Sequence, residues 1–160
     1  NVFHIEPNIN MKEDLEKLNS TKLYCAISDY CGKGNLYFDK RGFVSRKKGD
    51  KLNKKKGMRN SLEKDNSHLN QFLTDDFIEV DVLSLDELIQ KLNINDIEIL
   101  KLDTEGTDFK ILNSYSFTIK PKKIITEDFF ETNIKKYELL VSKGYKLKKK
   151  TLSDSIWIRG

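Results

Sequence analysis

Ile97–Gly106 reads IEILKLDTEG, and this stretch decides how the rest of the chain is read. Ile97, Ile99, Leu100 and Leu102 form a short apolar run that stops at Asp103, Thr104, Glu105 and Gly106. An Ile- and Leu-rich run of this length, closed by glycine, suits a buried parallel strand. Thr107–Asn113 then begins a helix. Asp103 and Glu105 therefore fall at the carboxyl end of a strand, where open α/β sheets hold their ligands. Two carboxylates on one tight turn mark a candidate site.

Upstream of this block, Asn1–Glu6 is a strand stopped by Pro7, and Met11–Asn19 places Met11, Leu15 and Leu18 on one helical face. Leu23–Asp29 and Asn35–Asp39 read as two strands joined by a Gly32-Lys33-Gly34 turn. Phe77–Val82 alternates, with Ile78, Val80 and Val82 on one face and Glu79 and Asp81 on the other, as in a half-exposed strand. Ser84 and Glu87 form a capping box before the helical stripe Leu85, Leu88, Ile89 and Leu92. Downstream, Pro121 precedes the strand Lys123–Glu127. Glu131–Lys143 is a helix with Ile134, Tyr137, Leu140 and Val141 inward and Gly144 as its C-terminal cap. Tyr145–Lys149 and Ser155–Arg159 close the chain as an antiparallel hairpin, with Trp157 and Ile158 in the core.

The 160 residues suffice for one domain with a real core, and no run approaches the ~18 apolar residues of a membrane span. No signal peptide is visible, and the first residue is Asn, so the natural chain is expected to extend upstream. Cys25 and Cys31 lack a metal-ligand spacing. Cys25 reads as a core residue and Cys31 as a loop thiol, so a reduced, cytoplasmic setting is expected. The net charge of +4 is uneven: Lys40–Arg59 holds ten Lys or Arg and one acid, while the other 140 residues carry 19 bases against 24 acids. The protein is thus acidic with a basic surface insertion over about 40–70. That insertion could attract phosphate, an anionic glycan or RNA. With Phe43 as the single aromatic in Lys40–Arg59, a nucleic-acid surface is not expected, and a solvated loop or a lid over the site suits it better.

Four of the runs read as core strands end on carboxylates: Glu6, Asp29, Asp103 and Glu127. In a doubly wound sheet these ends share one edge, so the acids are expected to converge on one crevice. A carboxylate there can accept both hydroxyls of a ribose, and a negative cluster suits a cationic cofactor.

In order along the chain stand EPN at Glu6–Asn8, AISD at Ala26–Asp29, LSLDEL at Leu83–Leu88, KLDTEG at Lys101–Gly106, ITE at Ile125–Glu127, Gly144–Tyr145 and SIWI at Ser155–Ile158. This series resembles the FkbM family of S-adenosylmethionine-dependent methyltransferases over nearly the whole chain, apart from the insertion. The resemblance implies a Rossmann-like class I methyltransferase sheet, mostly parallel, with a C-terminal antiparallel hairpin. It implies that Glu6, with Asn8 of the same motif, holds the cofactor ribose, and that Ser28 and Asp29 lie beside the adenine. Asp103, Thr104 and Glu105 would face the methyl group and the acceptor hydroxyl, with Glu127 on the acceptor side. The acceptors implied are sugars, glycans or other small molecules. The family's Asp-x-Gly-x-x-x-Gly loop and its strand have no counterpart here and would lie just before Asn1. The expectation is therefore a truncated domain lacking its first strand, a sheet that must close across the gap or borrow a strand from a second copy, and weak cofactor binding by this segment alone.

Methyl transfer from a sulfonium is an in-line displacement, in which acceptor oxygen and methyl carbon must meet at about 3 Å. Asp103 and Glu105 are the candidate bases for the hydroxyl proton, with Asp103 alternatively holding the cofactor's amino group. Neighbouring carboxylates would also accept a divalent cation, although the reading does not require one. His68, in the insertion, is a candidate to approach the acceptor. His4 reads as a packed residue, and Lys101 either pairs with a nearby acid or extends to solvent. Two other readings compete: a catalytically silent Rossmann-like module that binds an anionic partner through 40–59, and a nicotinamide-binding half. The second is disfavoured by the absence of G-x-G-x-x-G.

Overall fold

A computed structural model describes residues 1–39, 60–64, 70–128 and 133–160. The chain divides into two compact units, Asn1–Ile27 with Cys31–Val82 and Ser28–Tyr30 with Leu83–Gly160. Of the basic insertion expected over about 40–70, residues 40–59 and 65–69, His68 among them, fall outside the described residues.

In the first unit, β1 (Phe3–Ile5) is followed by a 3-10 turn at Ile9–Met11, the helix α1 (Lys12–Leu15) and β2 (Thr21–Leu23). β1 and β2 pair in parallel, with Phe3 opposite Thr21 and Ile5 opposite Leu23. The helix expected over Met11–Asn19 is only four residues long, and Leu18 is exposed. One short apolar stripe is too little burial to hold more turns.

The expected strand Leu23–Asp29 is divided. Its first residue ends β2, while Ala26–Ser28 form β3, which belongs to a different sheet. That sheet continues with β4 (Gly32–Asp39), β5 (Asn60–Ser61) and β6 (Leu73–Ser84), in the order β3-β6-β4-β5. β4 and β6 run antiparallel, from Gly32 opposite Val82 to Asp39 opposite Leu73. The Gly32-Lys33-Gly34 segment is therefore strand and not the turn its glycines suggested. Twelve-residue β6 provides it with a partner, and Lys33 bonds Asp81 across the pair at 2.8 Å. The alternation in β6 is as expected: Val80 and Val82 pack with Ala26 and Leu36, while Glu79 and Asp81 face solvent. Cys25 is buried and Cys31 exposed, as expected of a core residue and a loop residue.

The second unit opens with α2 (Leu85–Lys91), where Ser84 Oγ accepts the Glu87 N–H at 3.2 Å and Leu85, Leu88 and Ile89 are buried. β7 (Ile99–Lys101), α3 (Asp108–Ser114), β8 (Lys123–Glu127), α4 (Asn133–Ser142), β9 (Tyr145–Lys150) and β10 (Asp154–Arg159) complete it. The sheet order is β7-β8-β10-β9. β7 and β8 are parallel, whereas β10 is antiparallel to both neighbours. The C-terminal hairpin is as expected, but its second strand sits inside the sheet and, among the described residues, the lysine-rich β9 forms the edge. Trp157 and Tyr145 are the largest fully buried side chains among the described residues. Trp157 meets Tyr137 edge-on at 4.7 Å and donates its indole N–H to Ser155. Gly144, at φ +91, ends α4 in the conformation a C-terminal cap requires.

Two expectations fail in this unit. β7 is not enclosed: Ile99 is 51% exposed, because this strand is an edge of its sheet among the described residues. The inward stripe expected of α4 is met only in part. Leu140 is buried at 0% as expected, but Ile134 is 70% and Val141 61% exposed, and Lys136 points inward at 2%. The class is mixed α/β as read from sequence. One mostly parallel Rossmann-like sheet is not what the described residues form: they make three sheets, with parallel pairs at β1–β2 and β7–β8.

Candidate functional site

The IEILKLDTEG block builds its site by leaving the sheet abruptly. The Leu102 N–H still bonds the Ile125 carbonyl at 2.9 Å, one residue past β7. Glu105 then takes φ +51 and Gly106 φ +105, turning the chain into α3. For Glu105 this is a left-handed conformation that non-glycine residues seldom adopt, and such strain collects at functional sites. β8, parallel to β7, ends at the same level on Glu127. Ligand oxygens of Asp103, Glu105 and Glu127 all lie within 4.8 Å of one another, with Asp103 exposed and Glu105 the most enclosed. Three carboxylates this close favour a cation or hydrogen-bond donors among them. Lys101 Nζ donates to Asp103 at 3.1 Å, and this bond holds the ammonium above the usual lysine range. Of the two roles open to Lys101, pairing is the one observed.

Behind the three acids lies a buried polar assembly that sequence reasoning missed. Asp108, the first residue of α3, is 4% exposed. Its Oδ1 accepts the Thr104 N–H at 3.2 Å and the Thr104 hydroxyl, and its Oδ2 accepts the Glu127 N–H at 2.9 Å. Lys136 donates to the Glu127 carbonyl and lies 3.6 Å from Asp128 Oδ1. Asp128 Oδ2 in turn accepts from Tyr137 at 2.6 Å and pairs with Lys150 at 3.1 Å. Burial pushes the Asp108 carboxyl up, opposed by the Thr104 hydroxyl and by Lys136, and burial pulls the Lys136 ammonium down against its acidic neighbours. The spacing of Lys136 and Leu140 was the available signal. It is unreadable without a known counter-ion, since a lysine on a helix is ordinarily a solvated one.

Glu6 and Asn8 belong to the first unit, and each has a local task. Glu6 Oε1 accepts the Asn8 N–H at 2.8 Å; burial raises the Glu6 carboxyl above the ordinary range, and that bond opposes the rise. Asn8 is fully buried, and its side-chain oxygen accepts from Asn10 N at 3.1 Å to cap the 3-10 turn. His4 is half-buried, with Nδ1 2.8 Å from the Ser20 hydroxyl, which is the packed role expected of it. Ser28 is buried and donates to Asp29 Oδ1 at 3.0 Å. Of the predicted site residues, Asp103, Glu105 and Glu127 are thus brought into one group, with Thr104 on the turn between the first two. Among the described residues no helix is long and apolar enough to cross a membrane.

A family model described as the methyltransferase FkbM domain matches residues 1–147. No curated protein and no solved structure matches the chain.

Proposed function

Because this chain belongs to the FkbM methyltransferase family, we propose that it moves a methyl group from S-adenosylmethionine to a hydroxyl of a sugar, glycan or other small acceptor. The observation that carries this reading is the gathering of Asp103, Glu105 and Glu127 at the carboxyl ends of the parallel pair β7–β8. The acidic donor set suits the cofactor's cationic groups, and when bound the cofactor supplies an electrophilic methyl. Glu105, the most enclosed of the three acids, takes the proton of the acceptor hydroxyl as its oxygen attacks. Asp103 stands at the cofactor side, and Thr104 and Glu127 orient the acceptor. Glu6 offers its carboxylate to the ribose hydroxyls, with Asn8 shaping the turn that presents it, and Ser28 with Asp29 flanks the adenine. A divalent cation among the three carboxylates is an addition that the reading does not need.

The test is calorimetry with S-adenosylhomocysteine on the full-length protein. One saturable site is expected. Glu6→Ala should weaken it roughly tenfold or more, the value of one charge-assisted hydrogen bond. No binding by the wild type removes the methyltransferase reading, and unchanged affinity in the variant removes only the ribose role. A silent module that binds anions would show no response to this ligand.

A further inference from the structure

We propose that Asp108 is a positioning residue of the three-carboxylate site, tying the turn that carries Asp103 and Glu105 to the end of β8 that carries Glu127. The proposal rests on the reading of that cluster as the transfer site.

The cluster draws its ligands from two strands joined in sequence only through α3 and a long connection. β7 and β8 are paired by backbone bonds up to Leu102, where the Leu102 N–H meets the Ile125 carbonyl. Beyond that rung the two chains need another link to stay in register. Asp108 supplies one with a single carboxylate: one oxygen receives both donors of Thr104, and the other receives the Glu127 N–H. Thr104 stands between Asp103 and Glu105, so both acids on the turn are held through it. Lys136 fastens the other side of the Glu127 peptide by donating to its carbonyl. Both backbone polar groups of Glu127 are thereby held by ionisable side chains at 4% and 2% exposure.

A buried carboxylate and a buried ammonium are costly to desolvate, and replacing such a pair by apolar groups is often neutral or stabilising. Stability alone is thus a weak reason for this arrangement. Geometry is a better one, because neither an amide nor an apolar side chain can receive donors at both ends as a carboxylate does. Asparagine keeps the shape of Asp108 but turns one acceptor into a donor facing an N–H.

The experiment uses the natural chain, labelled with nitrogen-15, as wild type, Asp108→Asn, Lys136→Met and the double variant. Thr104 and Glu127 are far apart in sequence, yet in Asp108→Asn the amide proton facing the new NH2 group should move upfield, and the other more weakly as its acceptor loses charge, while amides of β9 stay in place. Affinity for S-adenosylhomocysteine should fall roughly tenfold, the low end for partners that orient site residues. The double variant separates positioning from simple charge balance. Its melting temperature should recover toward wild type, since it leaves no lone buried charge at 108 or 136, while its affinity stays low. It also serves if Asp108→Asn alone fails to fold. Affinity that returns together with melting temperature overturns the proposal, as do unmoved amide protons at both Thr104 and Glu127. Absence of binding by the wild type removes the transfer-site reading, and the positioning role with it. That result is distinct because it is read before any variant is made.

Discussion

Glu105 combines a backbone at φ +51 with a carboxylate inside the acidic group. In the proposed function its side chain takes the acceptor's proton, while its backbone would be easier for glycine. Glu105→Gly and Glu105→Ala both remove the carboxylate, yet the glycine variant should be the more stable by about 1 kcal/mol, read by urea unfolding. Equal stability would mean that the turn relaxes once the acid is gone. Tyr145 offers a second test at this scale. Its hydroxyl donates to the Pro121 carbonyl at 2.7 Å, and burial pushes the phenol from 10.0 up to about 12, with Arg159 opposing. A raised phenol stabilises the fold fully below the unfolded value of 10.0, and that contribution is lost as pH climbs through about 12. Tyr145→Phe should cost about 1 kcal/mol at neutral pH and flatten the alkaline fall in melting temperature. Tyr115, also raised by burial, leaves some slope behind.

At the scale of elements, α4 is the informative one. Of the apolar residues expected inward, Leu140 is fully buried, but Ile134 and Val141 are exposed and Lys136 is buried instead. Ile134→Lys or Val141→Lys should therefore change stability by no more than about 0.5 kcal/mol. Leu140→Ala should cost about 2–5 kcal/mol in the same denaturant titration. A large loss at Ile134 would restore the orientation its hydrophobicity suggested. β9 shows a different economy. Its exposed Lys146, Lys148, Lys149 and Lys150 line an edge strand, where like charges oppose pairing with another chain.

At the scale of the whole molecule, ligand binding is coupled to stability by mass action. S-adenosylhomocysteine at ~100 times its dissociation constant should add about 2.7 kcal/mol, visible as a rise in melting temperature of the natural chain. No rise at saturating ligand would remove the proposed cofactor. Much of this protein was legible in advance where the cause is local. The alternation of β6, the Ser84 cap, the Gly144 stop and the strand-to-helix break at Asp103–Gly106 each depend on residues a few positions apart. Sequence alone was enough for them, and for naming Asp103, Glu105 and Glu127 as acids at strand ends. Tertiary structure decided the rest: the division of the Leu23–Asp29 run between two sheets, the conversion of the Gly32–Gly34 segment from turn to strand, and the burial of Asp108 and Lys136. A strand's partner and a buried ion's counter-ion come from distant parts of the chain. Their free energy arises only when both sides are present, so neither leaves a periodic trace in the sequence.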